Sequence, residues 1–157
     1  MVKVLFVCLG NICRSPTAEG VFKALVFREG LSDQVTVDSA GVGSWHIGDP
    51  PDGRAQATAR KRGFDISKQR ARQVKAGDFD RFDYVLAMDS QNLDDLSRMC
   101  PKGSEDRLKK FLEFAPQLGI SDVPDPYYGG DRGFDDVFDM IEAASAGLLA
   151  DIREKYL

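Results

Sequence analysis

One histidine, His46, and three cysteines are all that this chain offers from the two residue types that dominate metal sites. Zinc sites draw three or four such ligands at close spacing, so no metal and no cofactor is expected. Three cysteines also make no disulfide framework. There is no basic excess: 21 Lys and Arg stand against 25 Asp and Glu, a net charge of −4, which argues against a nucleic-acid partner. No apolar run approaches the ~18 residues of a membrane span. The apolar run ending at Val7 is too short for a signal peptide, and no small-residue cleavage site follows it. The chain is therefore expected in the cytoplasm, where thiols stay reduced. Without repeats, low-complexity segments or linkers, residues 1–157 read as a single domain.

What is present is an alternation of strands and helices. Val2 to Val7 is β-branched and apolar, a buried strand. Ser15-Pro16 opens a helix, with the serine as a candidate N-cap, and Gly30 stops it. A second strand is expected over Gln34 to Ser39, a helix over Arg54 to Arg62, a third strand over Phe82 to Met88 and a short helix over Gln91 to Met99. Leu108 to Phe114 reads as a short fourth strand. Phe134 to Tyr156 is a long amphipathic helix. This order predicts an α/β three-layer sandwich, with a central four-stranded parallel sheet flanked by helices.

Ligands of such folds bind beyond the carboxyl ends of the strands. Cys8 stands there, and Cys8-Leu9-Gly10-Asn11-Ile12-Cys13-Arg14-Ser15 joins the first strand to the first helix. Gly10 and Asn11 are the residue types that best tolerate positive φ. A loop curled with its N–H groups inward forms an anion nest, and the helix N-terminus adds positive potential. Arg14 supplies a planar fork for two phosphate oxygens. The same field favours the thiolate of Cys8. A nucleophile and an oxyanion cradle coincide, which suits phosphoryl transfer through a cysteinyl phosphate. No Walker loop is present, since no Gly-Lys-Ser/Thr follows. Gly41-x-Gly43 is no dinucleotide fingerprint, because its third glycine would fall at His46.

CLGNICRSP resembles the signature loop of the low-molecular-weight protein tyrosine phosphatases. DSAGVGSWHIGDPPD, ARQV, DYVLAMDSQN and VPDPYYGG follow in that family's order. The resemblance implies that Cys8 attacks phosphorus in line, while Arg14 and the N–H groups from Leu9 through Gly10, Asn11, Ile12 and Cys13 to Ser15 hold the equatorial oxygens. Ser15 is implied to donate to the Cys8 sulfur, and Asn11 to brace the loop with Ser39 as partner. Asp125, between two prolines, matches the general acid. Taken locally it is also an ordinary turn aspartate. Trp45, Tyr127 and Tyr128 are implied to wall a deep cleft for a phenyl ring. Ile12 favours phosphotyrosine, a threonine being expected there in related arginine phosphatases.

The implied partners are phosphotyrosine-containing proteins, with inorganic phosphate as product. An arsenate reductase on the same fold is the alternative; its redox cysteine pair is expected after the third strand, where this chain has Met88 and Asp89. A non-catalytic phosphopeptide module predicts loss of the nucleophile or the acid, and both are present. Cys13 has two readings, packing under the loop or a disulfide with Cys8 on oxidation. Family members often carry a histidine before the ARQ stretch, paired with an aspartate after the third strand. Here there is none, and Lys68 or Arg70 is the expected partner of Asp89. Arg54 to Lys75 is basic and Asp122 to Glu142 acidic, read as solvated faces.

Overall fold

The computed structural model describes residues 1–128 and 132–157, with Tyr128 described by its backbone alone. Strand β1 (Val2–Cys8) is followed by helix α1 (Arg14–Arg28), β2 (Val35–Gly41), α2 (Gly53–Lys61), the single turn α3 (Asp78–Arg81), β3 (Tyr84–Ala87), α4 (Ser90–Met99), β4 (Leu108–Lys110) and α5 (Gly133–Tyr156). The four strands form one parallel sheet in the order β2-β1-β3-β4. The chain leaves β1 to one side for β2 and returns to its other side for β3. Strand order therefore reverses beside β1, and the loop after β1 occupies the crevice that results.

Both faces of β1 are covered, which is why it reads as an unbroken apolar run. Val2, Val4, Phe6 and Cys8 pack with α1 and α5, whereas Leu5 and Val7 pack with Phe79, Phe82 and Leu96 on the opposite face. Phe6 sits edge-on to Phe22 of α1 and to Phe111. The expected three layers are thus present.

Several local expectations shift. The fourth strand is only Leu108–Lys110, and Phe111–Phe114 is a 3-10 turn. Phe111 and Leu112 are consecutive yet both pack into the core on the α1 and α5 side of the sheet, whereas successive strand residues point to opposite faces. The Lys110 N–H donates to Glu113 Oε2 at 2.8 Å and caps that turn. Helix α1 begins at Arg14, with Cys13 and not Ser15 at its N-cap; the serine hydroxyl is committed elsewhere. Gly30, at φ +72°, ends α1 as expected. The basic and acidic runs are partly complementary: Arg62, just past α2, pairs with Asp135, Asp139 and Glu142 on α5.

Gly147 lies inside α5, where alanine would ordinarily gain about 1 kcal/mol of helix propensity. A Cβ there would come within 1.8 Å of the Phe114 carbonyl oxygen, and overpacking outweighs propensity. Gly147→Ala should lower stability by about 1–3 kcal/mol. Urea unfolding at constant m-value checks the sign.

Candidate active site

The loop after β1 is held from outside by its carbonyls. Val42 N–H donates to Cys8 O and Gly43 N–H to Leu9 O, both at 2.9 Å, and Asp52 N–H donates to Ile12 O at 2.8 Å. Cys13 O accepts from the Thr17 hydroxyl at 2.7 Å. Asn11 is the only non-glycine among the described residues at positive φ, 58°. Gly10 does not share that conformation; its small size serves instead to admit His46, whose Cδ2 would lie 3.1 Å from a Cβ there. Gly41 is required by close approach, since a Cβ would press on the backbone of Gly10, Asn11 and Leu9 at 3.0–3.1 Å.

Asn11 is the hub of the loop. Its Nδ2 donates to Ser15 Oγ at 2.7 Å and to Ser39 Oγ at 3.0 Å. Its Oδ1 accepts the Arg72 N–H at 3.1 Å. Ser39 in turn donates to Glu19 Oε1 at 2.6 Å. Burial raises the Glu19 carboxyl's affinity for its proton against the pull of that bond. Ser15 Oγ lies 3.0 Å from Cys8 Sγ, so a continuous hydrogen-bonded chain reaches the thiol.

Arg14 is 2 % exposed. Its Nη1 donates to Asp89 Oδ2 at 2.6 Å and to Val123 O at 2.9 Å, and its Nη2 lies 3.7 Å from Asp125 Oδ2. Burial works against the cation, but Cys8, Asp89 and Asp125 together hold its pKa above the ordinary arginine range. Asp125 also accepts the Tyr127 N–H at 3.0 Å, so the turn geometry and the position facing Arg14 occur together. A cavity of about 300 Å³ is lined by Cys8, Leu9, Gly10, Ile12, Cys13, Arg14, Trp45, His46, Asp125 and Tyr127. Burial, with Asp52, Cys8 and Asp125 adding to it, pushes the Cys13 thiol well up and keeps it protonated; both thiols are free. The side chain of Tyr128 lies outside the described residues.

The model of the low molecular weight phosphotyrosine protein phosphatases matches residues 3–156. The chain is 43% identical over 155 residues to the low molecular weight protein-tyrosine-phosphatase YfkJ of Bacillus subtilis, across 99% of this chain and 98% of the relative. It is 46% identical to a low molecular weight protein-tyrosine-phosphatase of Streptomyces coelicolor over 156 residues, 98% of this chain and 94% of the relative. The crystal structure of a protein tyrosine phosphatase from Entamoeba histolytica superposes with a TM-score of 0.95 at 39% identity and covers both chains entirely. The chain belongs to the low molecular weight protein-tyrosine phosphatases. Members of this family are enzymes, hydrolases of the protein phosphatase class.

Within this phosphatase fold the expected pairing of Asp89 with Lys68 or Arg70 does not occur. Asp89 caps α4 through the Asn92 N–H at 2.8 Å and spends its other oxygen on Arg14. Arg70 turns back to the carbonyls of Ser67 and Gln69. Arg72, within the ARQV stretch, braces the loop and pairs with Asp38 and Asp78. Sequence alone assigns no role to Arg72, Glu19, Asp52 or Arg54. Only Asp52 carried a local signal, as an acid before a helix.

Asn11→Ala would lose three hydrogen bonds and place a Cβ-bearing residue without Asn's local bonding at φ 58°. It should cost about 2 kcal/mol or more, and Asn11→Gly, which tolerates the backbone, should cost less. Denaturant titration of both variants measures the difference.

Proposed function

We propose that this phosphatase hydrolyses phosphotyrosine in protein substrates through a cysteinyl-phosphate intermediate, releasing inorganic phosphate. The observation that carries the reading is the convergence of Cys8, Arg14 and Asp125 on one cavity walled by Trp45 and Tyr127. The loop carbonyls bond outward, which supports assigning its N–H groups to the three equatorial oxygens. Arg14 Nη1 is committed to Asp89 and Val123; Nε and Nη2 are the fork assigned to phosphate.

The Cys8 thiolate attacks phosphorus opposite the phenolic oxygen. The S–P bond forms as the P–O bond breaks, and Asp125 gives its proton to the departing phenolate. In the second step Asp125 takes a proton from water, whose oxygen attacks the cysteinyl phosphate and expels the thiolate. The Ser15 hydroxyl, 3.0 Å from the sulfur, stabilises that leaving thiolate. A phosphoserine is too short to place its phosphate on the floor of the cleft while its backbone stays outside the rim. Cys100 packs on the sheet face opposite Cys8, so it supplies no redox pair beside the Cys8–Cys13 loop, which disfavours the arsenate reductase reading. No helix among the described residues is long and apolar enough to cross a membrane. A cytoplasmic setting, where Cys8 stays reduced and no nucleic-acid partner is engaged, completes the reading.

Among the described residues no group of three metal-ligating side chains occurs. Activity should survive EDTA, and a loss restored by zinc would reject the mechanism. Cys8→Ser should abolish turnover while phosphate binding persists. The sharper test is Asp125→Asn, with kcat/KM compared across leaving groups. Tyrosine leaves as a phenolate of pKa about 10, whereas a nitrophenolate departs with far less help. The variant should lose about 10²–10⁴-fold on phosphotyrosine and distinctly less on p-nitrophenyl phosphate. Equal losses would make Asp125 structural.

A further inference from the structure

Arg54 is exposed on the first turn of α2, yet its contacts reach both halves of the site. Asp52 joins the phosphate loop through its own N–H, which donates to Ile12 O at 2.8 Å. The Asp52 carboxylate accepts from the Arg54 N–H at 2.8 Å, from Nε at 3.1 Å and from Nη2 at 3.2 Å. The guanidinium is thereby fixed as a fork. Its remaining Nη1 donates to Tyr127 O at 3.3 Å. Its carbon lies over two rings, 5.1 Å from the centre of Tyr127 and 4.9 Å from that of Phe134 at the start of α5. Tyr127, in turn, gives its N–H to Asp125. A continuous path therefore runs from Ile12 through Asp52, Arg54 and Tyr127 to Asp125.

We infer that Arg54 is a positioning residue for leaving-group protonation: it ties the Asp125–Tyr127 segment to the phosphate loop and sets where the acid and the aromatic wall stand over the bound phenyl ring. The inference rests on the reading of Asp125 as the general acid. An ion pair two residues apart whose guanidinium is exposed contributes little to stability, so its consequence lies in placement. The cation over the Tyr127 face and the bond to its carbonyl fix the ring and the backbone together. General acid catalysis is sensitive to such placement, because the proton must move over one hydrogen-bond length.

The test uses Arg54→Met, which keeps an apolar stem and removes the charge and the donors. The quantity read is kcat/KM, which covers the steps up to departure of the phenol. Arg54→Met should lose about 10-fold on phosphotyrosine and phenyl phosphate, and no more than about 3-fold on p-nitrophenyl phosphate. Competitive inhibition by inorganic phosphate should stay within about twofold, since the loop itself is intact. Arg54→Lys should fall between. In an Asp125→Asn background, Arg54→Met should add nothing to the leaving-group dependence. Asp52→Asn, which retains a helix cap but loses the anion that fixes the fork, should show the same trend more weakly and serves if Arg54→Met folds poorly. Equal loss on every substrate with weakened phosphate inhibition would make Arg54 a prop of the fold and overturn the inference; so would no loss at all. If Asp125→Asn steepens the dependence on leaving group and Arg54→Met does not, only the role of Arg54 falls. If Asp125→Asn itself shows no such dependence, the reading of Asp125 fails first.

Discussion

A buried guanidinium must be answered by acceptors, and in this molecule that requirement draws three separate segments to one point. Arg14 is the first residue of α1, Asp89 caps α4, and Val123 and Asp125 belong to the loop before α5. Removing one partner of such a pair typically costs about 3–5 kcal/mol, because the charge left behind cannot regain its water. The geometry of the site is therefore enforced by the same electrostatics that the proposed reaction uses. Asp89 neutralises the arginine from behind and fixes its orientation.

The loop that presents Arg14 is over-determined in a different way. Asn11 satisfies two serines and one backbone N–H while holding φ 58°. Gly41 lets the neighbouring strand touch the loop backbone. Behind Asn11, Arg72 is clamped by Asp38 and by the fully buried Asp78. No histidine stands directly before the ARQ stretch. Gln69 instead gives its amide to Pro16 O, at the start of α1, and Arg72 supplies the brace through its main chain.

Sequence made the frame legible because its signals are local. The apolar run of β1, the Ser-Pro opening of α1 and the glycine stops each state their physics within a few residues, and Cys8 to Ser15 is contiguous. The long-range contacts were not legible. Asp89 reaches Arg14 across 75 positions and Arg54 reaches Tyr127 across 73. No periodicity or spacing encodes such a meeting; the parallel sheet order creates it. Ser15 shows the limit from the other side. Its place before Pro16 makes an N-cap the natural local reading, the family resemblance points its hydroxyl to Cys8 instead, and its bonds to Cys8 and Asn11 show the hydroxyl withheld from the helix.

The two halves of the cavity are held by different groups. The phosphate loop is bonded through carbonyls, side chains and a helix start. The contacts of the segment bearing Asp125 and Tyr127 include Val123 N–H to Met88 O at 2.8 Å, Arg14 Nη1 to Val123 O at 2.9 Å, Arg14 Nη2 at 3.7 Å from Asp125, and Arg54 Nη1 to Tyr127 O at 3.3 Å. A preorganised cradle costs no reorganisation when charge develops on phosphorus, and it serves every phosphate monoester alike. Discrimination must then arise on the other half, to which the proposed function assigns the aryl group and its proton. Substitutions in the loop behind Cys8 are therefore expected to act on all substrates together, and those around Tyr127 to act according to what leaves.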